Sequence, residues 1–335
     1  MRIPPLAFTL SALSFGVLLQ DPVPIAPALA AGETVTRRIE RDVRWTTAET
    51  RWFDGLEAPD DTERKEKGGA ALSEFLRCED EVLDVTDGSA SRFERRWKSY
   101  RRGQGKEVAS EREAVKISKK PLVFSRQGAN LGFVDRKGRP PEKDEPLQGA
   151  VGDLDLALAL RAGSIEVGVS WTADVAPLLT LLAPGPYGQV GRERENLAEL
   201  LPLATEESRQ LRLTLEGVRE EDGRRVADVA LAAKGAVEGE WNIGMALGSR
   251  DSGLIRTQSR VVQSHHVTGR VVWDIDRGRV IELEATNRFL TGRLSATGSR
   301  ERGDDEQVGT REGDRLKKTA ATGTATIHVR NAWDA

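Results

Sequence analysis

The chain of 335 residues holds one cysteine, Cys78, so no intramolecular disulfide can form. That excludes the small secreted scaffolds that are stapled by cross-links. Cys78 stands in Leu76-Arg77-Cys78-Glu79-Asp80, beside two carboxylates that disfavour a thiolate. It is expected to be a buried small hydrophobe. Histidine is nearly as scarce, with only His265, His266 and His328. Adjacent strand residues point to opposite faces, so His265 and His266 cannot serve one metal from a regular strand. A zinc centre needs roughly three or four ligands, and no metal site is assigned. An excess of either charge is also missing. The 50 basic and 53 acidic residues leave a net charge of −3, so no nucleic-acid partner is expected.

The signatures of common chemistry are absent as well. There is no phosphate-cradling glycine loop with a lysine and no dinucleotide fingerprint, so no cofactor-binding residues are assigned. Gly168-Val169-Ser170-Trp171-Thr172 starts like a nucleophile elbow but lacks its closing glycine. Asp274-x-Asp276-x-Gly278 matches part of a calcium loop, yet Arg277 fills a ligand position. It reads as a hairpin turn with solvated carboxylates. Carboxylate pairs such as Asp60-Asp61, Glu206-Glu207, Glu220-Glu221 and Asp304-Asp305 all sit in polar contexts. No catalytic residue is assigned.

What is present begins at the N-terminus. Arg2 supplies a positive start and Leu6–Leu19 an uncharged apolar run. Pro22, Pro24 and Pro27 then lead into Ala28-Leu29-Ala30, a small-x-small pattern that a signal peptidase accepts. Residues 1–30 are therefore expected to be a cleavable signal peptide, with a periplasmic or secreted mature chain starting at Ala31. The apolar run is shorter than the roughly 20 residues of a membrane span, and no later segment approaches that length.

The rest is dominated by strand and turn signals. Asp87-Gly88 separates Glu81–Thr86 from Arg92–Tyr100, and Gln127–Asn130 separates Leu122–Phe124 from Leu131–Val134. Residues 58–69 read as an exposed loop or a short polar helix, and 142–149 as a linker. The middle section carries helix candidates at 153–160, 176–182 and 196–201. From 206 onward, strands alternate with turns at Glu220–Gly223 and Arg277-Gly278, and residues 299–318 form a charged insertion. Short connections make antiparallel neighbours. The expected fold is mainly β, a curved antiparallel sheet or open half-barrel meander with one to three short helices. Its parts are an N-terminal β-rich section (31–147), a connecting section (148–205) and a C-terminal meander (206–335), together one globular unit.

The most uneven charge lies between Ser89 and Lys120, with eleven Arg and Lys against four Glu and with Phe93, Trp97 and Tyr100 interleaved. Strand alternation puts Arg92, Glu94, Arg96, Lys98 and Tyr100 on one face. Arg92, Arg96, Lys98 and Arg102 are the candidate polyanion-interaction residues, set against a plainly solvated sheet face.

Val167-Gly168-Val169-Ser170-Trp171 and the hairpin Gly269–Val280 resemble short motifs of a loose set of uncharacterised secreted β-rich proteins from planctomycete-type bacteria. The resemblance implies a β fold and an exported location, and no activity. The function expected is that of a non-enzymatic binding or envelope-associated module, whose partner is an apolar or anionic envelope component. The alternatives are an interaction protein using the basic hairpin and a hydrolase with an unsignposted carboxylate site. With no closed ligand set, EDTA should leave the thermal midpoint unchanged. Paired melts with and without chelator check this, and a drop of several degrees contradicts it.

Overall fold

The computed structural model describes residues 21–53, 64–106, 111–116, 120–127, 130–139, 160, 163–182, 205–246, 254–300 and 315–334. The helix candidates at 196–201 and, except Leu160, at 153–160 lie outside these residues, as does the connection at 142–149.

Two antiparallel meanders share one sheet. The first contains β2 (Thr34–Phe53), β3 (Arg64–Thr86), β4 (Ser89–Gly105), β5 (Glu113–Ala114), β6 (Leu122–Gln127) and β7 (Asn130–Asp135). The second contains β9 (Ser170–Asp174), β10 (Gln210–Glu221), β11 (Arg224–Ala246), β12 (Leu254–Asp274), β13 (Arg279–Arg300) and β14 (Arg315–Asp334). Their order is β7-β6-β4-β3-β2-β14-β13-β12-β11-β10-β9, with β5 beside β4. The fold is mainly β. Two short strands, β1 (Val23–Ile25) and β8 (Gly163–Ile165), pair separately.

Turn chemistry explains the hairpins. Asp87-Gly88 and Asp222-Gly223 have φ of 49° and 75°, and 51° and 72°, values that Asp and Gly tolerate in two-residue hairpin turns. The strands outrun their apolar signals. Val226–Ala232 and Asn242–Ala246 are parts of one strand, β11, and Ile255–Val262 and Val267–Ile275 largely merge as β12. The polar stretch between them, Lys234-Gly235 opposite His265-His266, keeps register across the ladder although it lacks apolar alternation.

The first and last long strands, β2 and β14, are neighbours, so the free edges β7 and β9 stand at opposite ends of the sheet. Between β7 and β9 in sequence, Leu160 and the β8 residue Ile165 are buried in the core cluster. Helix α1 (Ala176–Leu182) follows β9, and its Leu178, Leu179, Leu181 and Leu182 are buried in the core cluster. The expected helix at 176–182 is present. Asp174 accepts the Ala176 N–H at 2.8 Å, and Pro177 occupies the first turn, where its missing N–H costs nothing. Across the covered face, register aligns rows such as Val229, Val271, Leu283, Val329, Ile39 and Leu76. A second helix, α2 (Glu206–Arg209), is capped by Thr205 and precedes β10.

In the late hairpin, Val271, Trp273 and Ile275 face the core as alternation requires, and Trp273 is fully buried. A bulge leaves Ile281 unpaired between Val280 and Glu282, so Leu283 rather than Ile281 returns to the core face. Asp274, on the opposite face, is 1% exposed, so it is not a solvated carboxylate. It accepts the Arg277 N–H at 2.9 Å and closes the turn. Trp273→Ala should cost about 3–5 kcal/mol. Asp274→Ala, which strands a turn N–H, should cost about 1–3 kcal/mol. Urea melts of the two variants rank them, and the opposite order would invert the assigned facing.

Candidate functional site

The covered face divides into two chemistries. Over β9 to β13 it is mostly apolar, with Leu211, Leu213 and Leu215 of β10 almost fully buried and Gln263, His265 and Asn287 as polar exceptions. Over β2 to β4 the same face buries charge. Arg37, Arg41, Glu74, Asp80 and Arg95 are each 4% exposed or less.

Alternation explains how these groups arrive there. Arg37 and Arg41 flank Ile39, and Glu74 and Asp80 share their strand face with Leu76 and Cys78. Asp80 sits between two guanidiniums, Arg37 at 2.6 Å and Arg95 at 2.6 and 2.7 Å. Burial pushes its carboxyl up, but Arg95 and Arg37 outweigh that and hold the pKa below the ordinary value. Arg37 also bonds Asn331 at 3.3 Å, tying β2 to β14. One row further, Arg41 donates to Glu74 at 3.0 Å. The Tyr100 hydroxyl donates to the same carboxylate at 2.5 Å, and burial together with Glu74 pushes its pKa far up. The Arg95 guanidinium lies 5.1–5.5 Å from the rings of Trp97, Phe93 and Phe124. This arrangement neutralises charge and fixes geometry. Both carboxylates are clamped by arginine, and no pair of acids is set up for proton exchange.

The candidate polyanion residues are not gathered into one free patch. Lys98 is the extra residue of a β-bulge opposite Arg77 and Cys78. Beyond it the facing reverses, so Tyr100 turns to the core face with Trp97 and does not share the face of Arg92 and Arg96. Arg102 is half-buried in register with Glu74, apart from the others. Arg92, Arg96 and Lys98 are exposed, and each meets a carboxylate. Arg92 bonds Asp84 at 3.1 Å, Arg96 bonds Glu94 at 2.8 Å, and Lys98 bonds Glu79 at 2.6 Å.

The remaining candidates are dispersed. Cys78 is buried in the core, as expected of a small hydrophobe. His266 is exposed, and His328 Nε2 lies 2.5 Å from Glu282. Among the described residues no three metal-type ligands come together. Asp276 is held by Arg225 at 2.8 Å, and the Ser170 hydroxyl bonds Thr214 at 2.8 Å. An open cleft of about 430 Å³ lies beside α2, lined by Asp174, Glu206 and Arg209 among others. The buried ionic cluster escaped sequence reasoning, although i, i+2 spacing from Arg37 through Ile39 to Arg41 was its visible signal.

His265 is buried, and burial lowers its pKa below 6.5 despite a bond to the Ser208 backbone. Its Nε2 has no partner among the described residues. A histidine with a lowered folded pKa contributes stability that is present above its unfolded pKa and lost as pH falls. Stability should therefore decline from about pH 6.5 towards pH 5, and His265→Gln should flatten that slope. Denaturant melts across this range test it. Parallel slopes in the two proteins would show that the imidazole is not the group.

No family model matches the chain, and no curated protein matches it. Similar solved structures include lipovitellin, with 7% identity, TM-score 0.32, and coverage of 88% of this chain and 25% of that one. The outer membrane protease OmpT from Escherichia coli gives 8% identity, TM-score 0.20, and coverage of 88% and 96%. An outer membrane channel from Pseudomonas putida F1 gives 10% identity, TM-score 0.15, and coverage of 89% and 97%. The chain thus spans about a quarter of the lipovitellin chain it matches.

Proposed function

We propose that the protein is an exported, non-enzymatic binding module of the bacterial envelope, holding an apolar envelope component on the covered face of its sheet. The observation that carries this reading is the sorting of that face. Rows of Leu, Val and Ile over β9 to β13 are buried, and a helix of seven residues packs on the same core beside β13 and β14. Such a face offers area and shape, and area is what an apolar ligand needs. Export rests on Arg2 and the apolar run Leu6–Leu19, the features of a signal peptide. No helix among the described residues is long and apolar enough to cross a membrane. Asp80 and Glu74, clamped by arginines, serve structure better than proton transfer.

The test uses protein purified from the envelope fraction of a producing bacterium. Organic extracts should contain lipid by mass spectrometry. A fluorescent fatty acid should bind and be displaced by that lipid. Buried Trp97 and Trp273 lie in the same cluster and should report the exchange through their emission. Extracts free of lipid, together with no fluorophore binding, would sink the proposal. Asp80→Asn should leave lipid selectivity unchanged while lowering stability by about 3–5 kcal/mol, because it removes the counter-charge that two buried guanidiniums share. Urea melts measure the second quantity.

A further inference from the structure

The segment that the sequence marks for removal is built into the fold. Along residues 23–27 the alternate residues Val23, Ile25 and Pro27 are buried, and Ile25 is 0% exposed. Val23–Ile25 pair with Gly163–Ile165, and both Val23 and Ile25 belong to the main core cluster. The chain then crosses two hairpin turns from opposite meanders. Ala28 N–H donates to the Gly278 carbonyl at 3.1 Å, and Leu29 N–H donates to the Gly88 carbonyl at 2.9 Å. Gly278 lies between β12 and β13, and Gly88 between β3 and β4. The segment thus straps one end of the curved sheet, tying together turns that the sheet itself holds apart.

Both turn glycines are shaped to the strap. A Cβ on Gly88 would lie 2.0 Å from the Pro27 carbonyl oxygen, and one on Gly278 would lie 2.6 Å from that of Ala26. Gly223 has an equivalent hairpin position, φ +72° against +75° for Gly88, yet a Cβ there would meet nothing within 4 Å. The tightness at Gly88 therefore belongs to the strap and not to the turn.

We infer that the exported chain keeps Val23–Leu29 as a structural strap, so leader cleavage falls upstream of Val23 and not after Ala30. The inference rests on the export reading above. The sequence offers an earlier small-x-small pair, Ser14-Phe15-Gly16, directly behind the apolar residues Leu6–Leu13. Cleavage there leaves the strap intact. Cleavage after Ala30 would strip β8 of its strand partner and uncover the core surface that Val23 and Ile25 fill.

Intact-mass analysis of exported protein is the direct test, with a mature chain that has lost Met1 and starts no later than Val23 as the expected result. A chain starting at Ala31 overturns the strap and leaves export standing. A chain still carrying Met1 overturns leader cleavage and leaves the strap to the second measurement. That measurement compares Gly88→Ala with Gly223→Ala in the exported protein. Gly223→Ala carries only the left-handed strain, a fall in melting temperature of about 2–4 °C. Gly88→Ala should fall at least about twice as far, because it also displaces the strap. Equal falls would overturn the inference.

Discussion

The pairing of β2 with β14 is the constraint from which the rest of the structure follows. Thr34–Phe53 run in continuous antiparallel register with Arg315–Asp334, joining the beginning of the first meander to the end of the second. The ladder places the strand most distant in sequence at the centre of the sheet and sends the free edges to its two ends. Leu160 and Ile165, which precede β9, and the leucines of α1, which follows it, are buried together in the core cluster. The cost is kinetic. A central ladder between chain ends is a non-local contact, and loop-closure entropy is spent before it forms. Each meander is local and hairpin-linked, so the halves have the means to form before they dock.

The buried ionic cluster sits where docking has to be specific. Two charges taken from water gain little net stability from each other, even in good geometry. Their effect is on register. A one-residue slip of β2 against β3 would turn Arg37 and Arg41 away from Asp80 and Glu74, leaving those carboxylates to their β4 partners Arg95 and Tyr100. The Arg37–Asn331 bond extends the same penalty to the central ladder. The other half carries fewer such discriminators, since among the described residues of its Leu, Val and Ala rows only a few neutral polar side chains such as Gln263, His265 and Asn287 are buried.

The legible parts of the fold were those encoded over a few residues. Asp87-Gly88, Glu220–Gly223 and Arg277-Gly278 state their turns outright, and Ala176–Leu182 reads as a buried helix because Pro177 fits its first turn. Strand lengths were less legible, because pairing continues through Lys234-Gly235 and His265-His266 without an apolar signal. Bulges were not legible at all. The one at Lys98 reverses the facing of Tyr100, and the one at Ile281 decides which residue re-enters the core. Neither residue type announces a bulge, since it arises from partner strands of unequal count. Asp274 was misjudged for a related reason. Alternation assigns its face correctly, but burial of that face depends on elements remote in sequence.

The short helix marks where the covered face is weakest. Seven residues are too few for a helix to persist alone, because the nucleation cost is not recovered over so short a run. Its conformation is therefore imposed by the sheet that buries Leu178, Leu179, Leu181 and Leu182. The sheet does not depend on it to the same degree, since its ladders run through residues that α1 never pairs with. Held by side-chain burial and one Asp174 cap, α1 has an apolar surface chemically equivalent to that of an acyl chain. On the binding reading, α1 is the element that a ligand exchanges with. The exchange replaces one apolar contact by another while the backbone hydrogen bonds of the sheet stay unbroken.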